Sequence, residues 1–310
     1  MILTITANPA IDARYFLDSL KVGSVVRCNK TNKTAGGKGL NVARVVDLLG
    51  QSVAVTGFIG GRNGDFIREE VQKAGYRNCF ISIAGETRIC LGILGADGTQ
   101  TEILEKGPQV TEAEQDEFLA ELPAVLKEME VVCISGSLPA GVQTDFYQQV
   151  IEKAKALGVK VILDTSGEAF REGILAGPDF IKPNREELSA YFGRSIKTKE
   201  HAVEAAKELI EQGVGAVAVS LGAEGAVLVE KNRVISVEIP QIQVINPVGS
   251  GDSFVAGLAT ALAKGENLKT AMGLACACGT ANALEEKTGW IEKEKLDQIL
   301  KNMIVSEKKA

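Results

Sequence analysis

The chain has 310 residues, 45% hydrophobic and 24% charged, enough to bury one large core, which excludes disorder as its main state. Its 34 Lys and Arg against 40 Asp and Glu leave a formal charge of −6, without the basic excess of a nucleic-acid binder, so an anionic ligand needs a local site. No apolar run approaches the roughly 20 residues that cross a bilayer, and the opening MILTITANPAIDARYF lacks a signal peptide's basic and apolar regions. A cytoplasmic protein with neither a membrane nor a nucleic-acid partner is expected.

In chain order, an apolar β-branched run at 2–6 precedes a helical stretch at 41–49, a run at 53–59 and helical stretches at 66–74 and 112–129. Then come a run at 131–135, a helix at 146–157, runs at 159–163 and 180–182, a helix at 201–212 and a run at 216–221. Gly50, Gly75, Gly158 and Gly213 follow helices at positions suited to a left-handed C-cap. Mostly apolar runs alternating with amphipathic helices predict a doubly wound α/β fold, with a mostly parallel sheet flanked by helices. Two segments, roughly 12–34 and 87–106, break the alternation, and the second carries a turn signal at Asp97-Gly98. They predict a small β-sheet outside the main one. The charged tail 306–310 is expected to fray. Six cysteines without framework spacing are expected to stay reduced, and Cys276, Cys278 and the lone His201 do not suggest a zinc site.

Glycine is abundant, with 33 residues beside only 5% aromatics, and it clusters twice. Gly36-Gly37-Lys38-Gly39-Leu40-Asn41 opens directly into a helix. Bare backbone amides at a helix start, with Lys38 and Asn41 as donors, suit a phosphorylated or hydroxyl-rich ligand, with a tight loop needed for packing as the lesser alternative. It is neither a GxxxxGK[ST] loop nor GxGxxG, which speaks against a dinucleotide-binding oxidoreductase. Asn246-Pro247-Val248-Gly249-Ser250-Gly251-Asp252-Ser253 precedes an apolar helix at 255–263. The amides of Gly249, Ser250 and Gly251 would face developing negative charge there, and Asp252 is either a helix-start residue or a base taking a proton from a hydroxyl.

These two clusters resemble the signature motifs of the ribokinase-like, phosphofructokinase B family of sugar kinases. The similarity runs through Thr6-Ala7-Asn8-Pro9-Ala10-Ile11-Asp12, Ser135-Gly136-Ser137-Leu138-Pro139, Lys182-Pro183-Asn184 with Glu187, and Ser220-Leu221-Gly222-Ala223-Glu224-Gly225. The resemblance implies a single kinase domain over 1–310, with 12–34 and 87–106 forming a lid and a homodimer made through it. It implies Asp252 as catalytic base, with Gly249, Ser250 and Gly251 as an anion hole. Asp12, Gly37, Lys38, Asn41, Arg88 and Ser137, and further Arg27, would hold the sugar phosphate. Lys182, Asn184, Ser220, Gly222, Gly225, Gly251 and Asn282 would hold ATP, with Glu187 meeting Mg²⁺ through water.

The implied reaction is transfer of the γ-phosphate of ATP to an already phosphorylated ketohexose. The Asn246-Pro247 variant of a motif that usually begins Asp-Thr points to tagatose 6-phosphate before fructose 1-phosphate. A non-catalytic sensor of nucleotide or sugar phosphate is the alternative from another class, and an ADP-release assay separates the two.

Overall fold

In the computed structural model, which describes residues 1–309, alternation along the apolar strands puts Ile2, Val55, Val131 and Ile162 on one face of a sheet and Leu3, Ala54, Val132 and Leu163 on the other. The first half of the chain forms β1 (Ile2–Thr6), β2 (Ala10–Leu17), β3 (Lys30–Gly36), α1 (Lys38–Leu48), β4 (Val53–Ile59), α2 (Gly61–Lys73), β5 (Arg77–Asn78), β6 (Ile81–Ser82), β7 (Arg88–Gly95), β8 (Gln100–Leu104), α3 (Glu112–Leu126), β9 (Val131–Ser135) and α4 (Phe146–Ala156). The second half forms β10 (Lys160–Asp164), α5 (Gly167–Leu175), β11 (Phe180–Ile181), α6 (Arg185–Phe192), α7 (Lys199–Glu211), β12 (Ala216–Ser220), β13 (Ala226–Glu230), β14 (Arg233–Glu238), α8 (Ser250–Ala263), α9 (Leu268–Ala283), α10 (Lys293–Asn302) and β15 (Ile304–Lys309).

The main sheet runs β15-β14-β13-β12-β11-β10-β9-β1-β4-β5, with β6 beside β4. Its centre is parallel from β4 through β1, β9, β10 and β11 to β12, as the alternating pattern predicts. Past β12 the pairing turns antiparallel, because only a single 3-10 turn at Gly222–Glu224 lies between Ser220 and Ala226 and only a tight turn between Glu230 and Arg233, and short links return a strand only in the opposite sense. Helices α1, α2, α8, α9 and α10 contribute to the core on one face, and α3 to α7 to the core on the other. Gly50, Gly75, Gly158 and Gly213 take positive φ where their helices end. No helix is long and apolar enough to cross a membrane among the described residues, and all six cysteines are free thiols.

The two interrupting segments form a separate four-stranded sheet, β3-β2-β7-β8, with β7 and β8 joined at the Asp97-Gly98 turn. The C-terminal tail through Lys309, by contrast, does not fray, and residue 310 lies outside the described residues. As β15 it pairs antiparallel with β14, setting Val305 opposite Val237, while Glu307 reaches Arg233 at 3.4 Å. Its charges concealed a strand because one face points to solvent and only Val305 packs inward. Deleting residues 304–310 is expected to lower the melting temperature by ~5 °C, since β14 becomes an open edge. Scanning calorimetry checks this, and an unchanged transition would show that the pairing contributes nothing.

Candidate active site

Ligands of open parallel sheets bind beyond the carboxyl ends of the strands, where the chain order reverses. Here the reversal lies between β1 and β9, because the chain passes from β1 to β4 on one side before returning to β9 on the other. A cavity of about 350 Å³ opens at that point, lined by Thr6 and Asn8 beyond β1, Gly136 and Ser137 beyond β9, and Thr165 and Ser166 beyond β10. The small sheet roofs it with Asp12, Arg14, Arg88, Cys90 and Glu102. The start of α1 supplies Gly37, Lys38 and Asn41. Gly37 takes φ +108°, and a side chain on Gly39 would collide with the Ile5 carbonyl, so glycine lets α1 begin directly against the end of β1.

Four charged groups meet beside this cavity. Asp164, at the end of β10, is buried, with Lys182 Nζ 3.4 Å from Oδ1 and Lys38 Nζ 3.7 Å from Oδ2. Neither Asp164 oxygen accepts a hydrogen bond. Asp252, in the first turn of α8, is also buried, and its Oδ2 accepts from Asn41 Nδ2 at 2.9 Å. Burial first, and the nearby Asp164 charge second, push the Asp252 carboxyl up to about 6, against the opposing pull of Lys38, the Asn41 hydrogen bond and Lys182. Asp164 raises Lys38 above the usual lysine range, and burial raises Asp12 despite Arg44, Arg14 and Arg88 around it. A proton acceptor pushed toward neutrality thus sits at a helix N-terminus within the field of Lys38 and Lys182, an arrangement that can take a hydroxyl proton while stabilising an anion.

The turn before α8 differs in one detail from the expected row of three amides. Gly249 takes φ +86°, but the Ser250 amide donates to the Pro247 carbonyl at 3.2 Å, leaving those of Gly249 and Gly251 without a protein acceptor among the described residues. Lys182 lies over this turn, with Nζ 3.4 Å from where a Gly251 side chain would begin. Asn184 and Glu187 close a reciprocal capping box on α6, in which the Asn184 amide donates to Glu187 Oε2 at 2.9 Å and the Glu187 amide donates to Asn184 Oδ1 at 2.8 Å. Ser220 bridges to Asn184 and its amide donates to the Pro183 carbonyl, so the segment carrying Gly222 and Gly225 forms a ledge beside Lys182 and α6.

Two expectations change, and a third residue keeps its place with partners of its own. Asn282 is fully buried rather than facing a ligand. Its Oδ1 accepts from the Gly289 amide at 2.8 Å and its Nδ2 donates to the Val248 carbonyl at 2.9 Å, so it clamps two loops together. Arg27 is exposed in the connection between β2 and β3, outside the cavity lining. Arg88 lines the cavity, but its guanidinium donates to the carbonyls of Glu105 and Asn8, at 2.9 and 2.8 Å. Sequence reasoning missed Asp164, Arg14 and Arg44. A charged residue closing the apolar run 159–163 was the available signal for Asp164, and the alternation Ala10, Asp12, Arg14 on one strand face was that for Arg14.

The pfkB family carbohydrate kinase profile matches residues 5–294. The chain belongs to the pfkB family of carbohydrate kinases. A tagatose-6-phosphate kinase of Staphylococcus epidermidis is 42% identical over 310 residues, covering 99% of this chain and all of the relative. The phosphofructokinase-2 of Escherichia coli, solved in complex with potassium, superposes with a TM-score of 0.92 at 29% identity over 97% of this chain and 98% of that one. An Arabidopsis thaliana ribokinase complexed with ribose and ATP shares the fold, with a TM-score of 0.80 at 24% identity over 97% and 98% of the two chains. In this kinase family member, the buried Asp252 lowers native stability when ionised. Its pKa stands above the unfolded value, so the cost is fully present above about pH 6 and vanishes as pH falls toward 4. Asp252→Asn is therefore expected to stabilise the fold by about 3 kcal/mol at pH 8 and hardly at all near pH 4. Urea unfolding at the two pH values measures this, and an equal effect at both would contradict it.

Proposed function

We propose that this kinase transfers the γ-phosphate of ATP to the free primary hydroxyl of tagatose 6-phosphate, forming tagatose 1,6-bisphosphate, with Asp252 as the base. The carrying observation is the buried Asp252 carboxylate, held by Asn41 in the first turn of α8 with Lys38 and Lys182 near it. The full-length similarity to a tagatose-6-phosphate kinase supports the choice of sugar.

In this reading, the four-stranded sheet is a lid over the sugar phosphate. Asp12, Asn41 and Ser137 meet the hydroxyls, and Gly37, Lys38 and Arg88 meet the phosphate side. Beyond the two carbonyls it serves, Arg88 keeps N–H donors unused, its Nε among them. Lys182, Asn184, Ser220, Gly222 and Gly225 border the nucleotide. The hydroxyl proton passes to Asp252, the oxygen attacks the γ-phosphorus, ADP departs, and the free amides of Gly249 and Gly251 with Lys182 face the charge on the transferred group. Exposed Val22, Val25 and Ile103 on the lid support a homodimer formed through it.

Among the described residues no cluster of three or more His, Cys, Asp or Glu could hold a metal alone. Magnesium does not require one, since it is commonly held by one or two carboxylates, water and substrate phosphates. The residues fit that mode, because Glu187 keeps one oxygen outside its cap and the Asp164 carboxylate is buried without a donor. When bound, magnesium would neutralise phosphate charge.

Asp252→Asn is expected to lower kcat by ~10³-fold with little change in either KM, as loss of a general base would. In wild type, kcat/KM should rise with pH through about 6 as Asp252 ionises. Comparing kcat/KM for tagatose 6-phosphate, fructose 1-phosphate and fructose 6-phosphate tests the substrate, and a clear preference for either fructose ester overturns it. Near-normal turnover of the Asn variant would remove Asp252 from its role.

A further inference from the structure

The side chain of Arg14 leaves the lid. It lies on β2 two residues from Asp12, on the cavity face, but its Nη1 donates to the Glu286 carbonyl at 2.8 Å and its Nη2 donates to the Thr288 hydroxyl. The same two acceptors also receive Asn246, whose Nδ2 lies 3.2 Å from the Glu286 oxygen and 3.4 Å from Thr288 Oγ1. Asn246 Oδ1 in turn accepts from the Val248 amide at 3.0 Å, at the head of the anion-binding turn. A lid side chain and a side chain of that turn therefore share one pair of atoms. An ionised aspartate at position 246 could not make these contacts, since it has no hydrogen to donate to a carbonyl. That gives the Asn246-Pro247 variant a physical use.

The loop that both side chains grip presses on the transfer site at two places. A side chain at Gly249 would begin 2.6 Å from Thr288 Cγ2 and 2.8 Å from the Gly289 nitrogen, so the turn and the loop are in van der Waals contact. One at Gly289 would begin 2.9 Å from Asn41 Cβ, and Asn41 holds Asp252. Arg44 fixes the Thr288 carbonyl at 2.9 Å and Asn282 fixes the Gly289 amide. Thr288 and Gly289 are held between Arg44, Asn282, Gly249 and Asn41, so a shift of Thr288 presses on Gly249 or Asn41.

We propose that Arg14 is a positioning residue whose grip on Glu286 and Thr288 ties lid placement over the sugar phosphate to the geometry of the Gly249–Asp252 turn, making sugar phosphate and nucleotide bind cooperatively. The proposal rests on the reading of that turn as the transfer site. Such coupling between sites is commonly worth about 5- to 150-fold in affinity, and it is reciprocal.

The test is calorimetric binding of the ATP analogue AMP-PNP to the full chain, with and without saturating tagatose 6-phosphate or fructose 6-phosphate. It is done for wild type, Arg14→Gln, Arg14→Lys, Thr288→Val and the Arg14→Gln/Thr288→Val pair. Wild type is expected to bind the analogue about tenfold tighter with sugar phosphate present. Arg14→Gln and Thr288→Val should each reduce that factor to below about twofold, the pair should be no worse than either alone, and Arg14→Lys should restore it only in part, because the guanidinium fork reaches two acceptors and an ammonium does not. Thr288→Val preserves volume, so the question stays answerable if the arginine variants unfold.

Arg14 acting only as a direct phosphate ligand would raise the sugar-phosphate KM in Arg14→Gln and leave Thr288→Val like wild type, which overturns the proposal. So would coupling that survives both variants, or its absence in wild type. Binding requires no transfer, so failure of Asp252 as base would show in turnover of Asp252→Asn and leave this measurement intact.

Discussion

Two carboxylates and two ammonium groups share a partly dry space at the carboxyl ends of the central strands, and their balance constrains the architecture around them. Asp164 and Asp252 are each more than nine-tenths buried, and Lys182 is buried with them. Removing Asp164 would leave Lys182 as an uncompensated buried charge, commonly costing about 3–5 kcal/mol. Yet Asp164 makes no hydrogen bond to either lysine, at 3.4 and 3.7 Å, so the lysines are held by attraction at a distance. Either can therefore reorient without breaking a directional bond, while Asp164 holds both nearby. The same arrangement sets Asp252 near neutrality, through its burial and the neighbouring carboxylate together.

Bringing these groups together requires two helices to start in the same small region. The N-terminus of α1 reaches β1 because Gly39 has no side chain to meet the Ile5 carbonyl. The N-terminus of α8 is held by close packing on α9, where a side chain at Gly257 would begin 2.7 Å from the Leu274 carbonyl and one at Gly279 would begin 2.9 Å from the Ser250 carbonyl. Glycine's abundance therefore serves close backbone approach as much as turning. The loop at Glu286 to Gly289 completes the frame, packed between α1, the α8 turn and the small sheet.

Much of this was readable in the chain. The runs at 2–6, 53–59 and 131–135 coincide with β1, β4 and β9, because strands buried on both faces leave an unbroken apolar record. The two glycine clusters mark the starts of α1 and α8, since bare backbone at a helix start leaves a local signature. Residues whose surroundings are assembled from distant segments were not readable. Asp164 looks like the end of a strand until Lys38 and Lys182 stand beside it. Asn282 has the composition of a ligand contact, and only packing against residues 248 and 289 shows it to be a clamp. The tail at 304–309 reads as solvated charge because a sheet-edge strand with one packed residue leaves almost no periodic record.

The sequence alone determined the layered α/β architecture, the separate small sheet, the membership implied by two glycine motifs and the place of Asp252 at a helix start. Each of these is written in local periodicity or in contiguous residues. Tertiary structure alone decided which charges share the buried space, which side chains serve as clamps and that Arg14 of the small sheet grips the loop against Gly249. Those facts depend on segments up to 274 residues apart, and hydrogen bonds across such separations leave no pattern along the chain.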